Sequence, residues 1–176
     1  MFKIIAATVA VLLASLLAYA STKPDTFRVQ RTVNIDASPE KIAPLLNDFH
    51  NWGSWSPYEK LDPAMRRSFS GTVSGTGAVY AWEGNSKAGA GRMEIVETSS
   101  FLTRIQLDFT KPFETHNVAE FTLEDKGGST NVTWAMQGPS PYLAKVMTTF
   151  FDMDKMVGKD FETGLANLKA IAEGRR

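Results

Sequence analysis

From residue 65 to residue 138 the chain is a succession of short runs in which apolar and polar side chains alternate, cut at intervals by turn-forming residues. Alternation with period two marks strands with one buried face, and breaks this short join neighbours as antiparallel hairpins. Six strands are predicted, over 65–71, 78–83, 89–98, 102–110, 114–124 and 130–138. The breaks fall at Gly75-Thr76-Gly77, Gly84-Asn85, Ser99-Ser100, Lys111-Pro112 and Lys126-Gly127-Gly128, the last being the clearest turn. One more strand is expected over 27–35, where Phe27, Val29, Arg31, Val33 and Ile35 alternate with Arg28, Gln30, Thr32 and Asn34.

Two stretches carry a different period. Ser38 is placed to cap a short helix that begins at Pro39 and buries Ile42, Leu45 and Leu46. After it, residues 50–58 are aromatic and broken by Gly53 and Pro57, which suits an irregular helix or lid. Over 141–173, Leu143, Met147, Phe150, Met153, Val157, Phe161, Leu165 and Leu168 recur every three or four residues, predicting one long amphipathic helix without a break. Gly158 inside it costs about 1 kcal/mol relative to Ala and points to a bend or a close backbone contact. A curved antiparallel sheet of about seven strands, one face covered by a long terminal helix, is an α+β arrangement with a hollow between the two.

The first 20 residues stand apart. Lys3 precedes an uncharged run over 4–20, which as helix rises about 25 Å against the roughly 30 Å of hydrocarbon in a bilayer. A retained anchor and a cleaved secretory signal both fit, the latter because Ala18-Tyr19-Ala20 offers small residues for a peptidase. Basic residues flank the run on both sides, so orientation is not fixed. The expected organisation is a hydrophobic segment over 1–20, a linker over 21–26 and a folded domain over 27–174, either membrane-anchored or secreted/periplasmic.

With 43% hydrophobic residues, 176 residues supply one sizeable core. Nineteen basic residues balance nineteen acidic ones without a long block of either sign, which argues against nucleic acid as a partner. The absence of cysteine excludes disulfides, thiolate metal sites and a thiol nucleophile. His50 and His116 lack the spacing of a metal pair, and Asp152 and Asp154, two apart on a helix, point to different sides. Glu83 and Arg92 are expected to pair, as a surface cross-strand ion pair in preference to a polar pair that orients a ligand head group inside the pocket. The glycine-rich stretch 71–77 lacks the lysine of a phosphate loop and leads into a strand, so it reads as a hairpin turn. No catalytic residue, metal site or cofactor is assigned.

The most informative constellation is aromatic and sulfur-rich, comprising Trp52, Trp55, Tyr80, Trp82, Met93, Phe109, Trp134, Met136, Met147, Phe150, Phe151 and Met156. Each alone is more often core than ligand contact, but together they describe an adaptable apolar site. The expected lining is Trp55, Trp82, Met93, Phe109, Trp134, Met147, Phe150 and Phe151, with His50 and Trp52 at the mouth. The expected partners are a hydrophobic small molecule and, if the leader is retained, a membrane contacted through residues 4–20.

The opening strand, the segments Trp55-Ser56-Pro57-Tyr58-Glu59-Lys60-Leu61-Asp62-Pro63-Ala64-Met65 and Trp82-Glu83-Gly84-Asn85, and the helix over 152–162 together resemble the START-like (SRPBCC, Bet v 1-like) superfamily, in its bacterial polyketide cyclase/dehydrase-like branch. The resemblance covers about 27–173. It implies a helix-grip fold and an enclosed cavity for lipids, sterols or polyketide-like molecules. The family has no shared catalytic motif, so it transfers no active-site residue; a cyclase, dehydratase or hydrolase acting in the same cavity is the alternative it leaves open.

Overall fold

The computed structural model describes residues 1–175. Seven strands form a single antiparallel sheet: β1 (Thr26–Ile35), β2 (Arg66–Gly71), β3 (Ala78–Glu83), β4 (Ala90–Thr98), β5 (Leu102–Lys111), β6 (Thr115–Asp125) and β7 (Thr130–Pro139), in the order β1-β7-β6-β5-β4-β3-β2. Each strand from β2 to β7 pairs with its neighbour in sequence, as hairpin breaks require, whereas β1 crosses to the far edge and pairs with β7 from Thr26↔Pro139 to Ile35↔Thr130. Between β1 and β2 lie α2 (Pro39–Asn47), a 3-10 turn (Phe49–Asn51), α3 (Trp52–Trp55) and a second 3-10 turn (Pro57–Lys60), preceded at the N-terminus by α1 (Phe2–Ser21). α2 stops at Asn47, and the Asp48 side chain accepts from the His50 amide to start the 3-10 turn.

The terminal helix is not continuous. It consists of α4 (Tyr142–Met147) and α5 (Met153–Ala172), separated by a turn. The single helix expected over 141–173 is thus corrected. Asp152 provides the restart, its side chain accepting from the amide of Lys155 as an N-cap. The apolar period that runs through the break has no buried face there: Leu143, Met147, Phe150 and Phe151 are all exposed.

α5 lies across the concave face of the sheet, burying Phe161, Leu165 and Leu168. Two glycines set its approach. A Cβ at Gly158 would collide with the Arg31 guanidinium, which passes beneath the helix to grip Asp154 (Nη2 to Oδ2, 2.9 Å) and Glu162 (Nε to Oε1, 2.8 Å). A Cβ at Gly164 would lie 2.8 Å from Trp134 Cζ3 and 3.1 Å from Pro57 Cδ. The sequence reading of Gly158 as a bend or a close contact resolves to the contact.

α1 has 20 residues, reaching beyond 4–20 at both ends; at 1.5 Å per residue it is about 30 Å long, enough for a bilayer's hydrocarbon. It is the one helix among the described residues long and apolar enough to cross a membrane. Its C-terminal turns pack beside α4, where Tyr142 Oη donates to the Leu17 carbonyl at 2.8 Å. The buried Lys145 ammonium pairs with Asp25 at 2.5 Å and ties α4 to the start of β1.

Candidate functional site

The side chains facing α5 fall in rows across the sheet, and their sizes decide where space is left. Val132 stands opposite Leu123, and Trp134 opposite Phe121. Above these rows α2 and α3 insert Ile42, Leu46, Trp52 and Trp55, all buried. The rings interlock: Trp55 meets Phe121 and Trp134 edge-on at 5.9 and 5.5 Å, while Phe161 stacks on Trp134 at 4.0 Å. This end of the clasp is solid. One row further, Phe121 gives way to Ala119, opposite Met136. The loss of an aromatic ring opens a chamber of about 390 Å³.

Its wall is mostly apolar, with Met93, Leu107, Phe109 and Met136 from the sheet, Tyr80 and Trp82 from β3, and Val157 and Phe161 from α5. Trp82 lies flat over Gly91, where a Cβ would approach its Cη2 at 2.6 Å, and meets Phe109 edge-on at 5.5 Å. The exposed residues Leu61, Lys87 and Asp160 form part of the wall, so the chamber communicates with solvent at that rim. Its volume falls within the range of small-molecule sites.

The polar part of the wall centres on Glu59. Its carboxylate accepts from Tyr80 Oη at 2.6 Å and from Arg67 Nε at 2.6 Å, and Arg67 also donates to the Glu59 and Met65 carbonyls. Burial first, and then the Glu59 carboxylate, push the Tyr80 hydroxyl well above its ordinary pKa. Tyr58 is raised too, by burial and by the nearby charge of Asp160. The Asp160 carboxyl is itself raised by partial desolvation. Among the described residues no group of three or more His, Asp or Glu side chains is disposed to hold a metal ion.

Several residues named from sequence lie on this wall: Trp82, Met93, Phe109 and Trp134, together with Trp52 at the solid end rather than at the mouth. Trp55 does not line the space. It is fully buried behind Trp52 and Trp134, with its Nε1 donating to the Leu45 carbonyl at 2.9 Å. Met147, Phe150 and Phe151 stand outside the clasp, 51%, 67% and 55% exposed, because the turn after α4 carries the chain away from the sheet before α5 begins. Phe150 and Phe151 instead border a shallow outer groove with Lys23, Arg28 and Asp154. His50 is away from the chamber, bonded through Nδ1 to Asp48 Oδ1 at 2.8 Å and stacked on Phe69 at 4.2 Å. Nor does Glu83 pair with Arg92; β3–β4 register sets Ala81 opposite Arg92, and Glu83 binds Arg66 and Lys111 instead. Sequence reasoning missed Ser56, Tyr58, Glu59, Leu107 and Asp160 as wall residues. Only Leu107 carried a signal, sharing a strand face with Phe109.

No curated protein matches the chain. Solved structures similar to it include the Aha1 dimer from Colwellia psychrerythraea, with TM-score 0.61 and 17% identity over 85% of this chain and 98% of that one. Protein Ms6760 from Mycobacterium smegmatis is similar with TM-score 0.59 and 16% identity, covering 88% and 96% of the two chains. DynU16, from the dynemicin biosynthetic locus, gives TM-score 0.58 and 14% identity over 86% of this chain and 49% of its own. At these identities the likeness is one of fold, the helix-grip arrangement of a seven-stranded sheet around a long terminal helix. Residues 26–173 match the family described as polyketide cyclase / dehydrase and lipid transport. The chain therefore belongs to that family, within the START-like (SRPBCC) superfamily.

Proposed function

We propose that the domain binds a hydrophobic small molecule in the chamber beside Ala119 and that α1 holds it at a membrane of a bacterial cell envelope, with segment 1–20 as the membrane part, 21–26 as linker and 27–174 as the binding domain. The observation that carries the first half is a mostly apolar space of about 390 Å³ inside an otherwise close-packed clasp. Trp82, Met93, Phe109 and Trp134 are the contacts proposed from the sequence that also stand on its wall. The family's description, which includes lipid transport, agrees with an apolar ligand. For the second half, α1 has the length and hydropathy of a spanning helix, and the exposed Leu143, Met147, Phe150 and Phe151 lie on α4 and the turn after it, next to the helix it packs against.

Native mass spectrometry of the full chain, released from mild detergent, tests the binding reading. One apolar compound per chain, displaced by an added apolar probe, is the expected result. Preparations that repeatedly show bare protein and bind no such probe would falsify it. An enzyme of the cyclase, dehydratase or hydrolase kind, working in the same chamber, is the second reading. It is favoured by Asp160, a wall carboxyl that partial desolvation displaces upward, in the direction an acid–base group needs, with the Tyr58 hydroxyl, which burial keeps protonated, beside it as a hydrogen-bond donor. Conversion of the released compound on incubation, lost in Y58F, distinguishes it from carriage.

A further inference from the structure

The polar groups of the chamber divide into two sets. Around Glu59 the polar groups are already partnered: Tyr80 donates to one carboxylate oxygen and Arg67 to the other, and Trp82 Nε1 donates to the Ala88 carbonyl at 3.0 Å. The side that faces α5 is different. Ser56 Oγ and Trp134 Nε1 are buried without a hydrogen-bond partner, and both residues line the chamber. Tyr58, on the same turn as Ser56, lines it as well, its ring 6.1 Å from Trp134 and its hydroxyl within the electrostatic reach of Asp160. Asp160, one residue before the Phe161 that stacks on Trp134, makes no ion pair and no side-chain hydrogen bond among the described residues.

Resting on the reading of the chamber as the ligand site, we infer that this face is its polar subsite and takes a neutral hydroxyl, an alcohol or a phenol, in preference to a carboxylate. The subsite offers what a hydroxyl uses on both sides: an ionised acceptor in Asp160 and a donor in Tyr58. A carboxylate has nothing to donate and would meet Asp160 as a like charge. Among the described residues the single cation on the wall, Lys87, sits in the β3–β4 turn and not on α5. The apolar body of the ligand then lies against Met93, Phe109 and Trp82, away from the helix.

Three probes that share one ring system separate the possibilities: naphthalene, 2-naphthol and 2-naphthoate, titrated at about pH 7.5 against the full chain in nanodiscs with empty nanodiscs as blank. The wild type is expected to bind 2-naphthol about tenfold more tightly than naphthalene, as a charge-assisted hydrogen bond in a partly desolvated site allows, with 2-naphthoate the weakest. In D160N, with its fold checked by circular dichroism, the preference for 2-naphthol should shrink to about twofold or less and 2-naphthoate should gain, while naphthalene stays unchanged. A D160N protein that keeps the wild-type ranking and ratios overturns the hydroxyl subsite and leaves the apolar chamber standing. If the wild type binds none of the three, the chamber reading fails and the subsite with it.

Discussion

The two ends of the clasp are built from the same strands and the same helix, yet one is solid and the other hollow. At the solid end α3 drives Trp52 and Trp55 between Phe121, Trp134 and Phe161. At the hollow end the same segment supplies only wall residues, among them Trp52, Ser56, Tyr58 and Glu59, and the sheet presents Ala119 where a ring stood one row earlier. A curved sheet around a helix therefore does not by itself make a cavity. The inserted aromatic segment decides how much of the space is filled, and side-chain volume on one strand decides where filling stops.

The largest test of that contrast is Trp55→Ala. Removing a fully buried ring from the solid end is expected to cost about 3–5 kcal/mol in urea denaturation of the full chain in detergent. The same truncation at Trp82, which already borders open space, should cost about 1–2 kcal/mol. Equal losses would mean that the hollow end is as tightly packed as the solid one. Next in size, Gly164→Ala forces a methyl toward the Trp134 ring and Pro57, and is expected to destabilise by about 1–3 kcal/mol. A neutral outcome would show that α5 can lift from the sheet at little cost.

Ala119→Phe extends the solid end by one row. Its expected signature is a drop of about tenfold or more in affinity for an apolar probe such as naphthalene, with the unfolding midpoint nearly unchanged because the new ring fills existing space. Undiminished binding would place the ligand elsewhere. The smallest effect is a pH dependence. Desolvation raises the Asp160 carboxyl in the folded protein above its unfolded value, so it opposes folding above that folded pKa, and the penalty is relieved as pH falls through it. D160N should thus raise the unfolding midpoint near neutral pH and have no effect at about pH 3, where the carboxyl is protonated in both states. An equal shift at both pH values would assign the change to packing.

The strands were legible because each alternates and each is bounded by residues with a turn preference; the structure moves their ends by a residue at most. The terminal helix was legible only in part. Leu143, Met147 and Phe150 keep the same period as Phe161 and Leu165, and periodicity reports a shared face without saying what covers it. The chamber was harder still. Trp55 and Trp134 are the same residue type in the same cluster, yet only Trp134 touches open space, and that depends on the volume of a neighbour such as Ala119. Asp160 carries no such signal, since nothing in its local sequence marks it as facing a cavity rim.

The crossing of β1 to the far edge of the sheet has a consequence for how the molecule is made. Its partner is β7, so the seam joins residues about a hundred positions apart, as where Thr32 meets Thr133 at 2.8 Å through their hydroxyls. Closing so long a loop is rewarded only once both sides of the seam exist, which slows folding. A chain growing from its N-terminus carries β1 unmatched, directly after the apolar α1, while the five intervening strands are synthesised. Arg31 waits with it, since Asp154 and Glu162 arrive later still. The first strand off the ribosome is among the last to find its place.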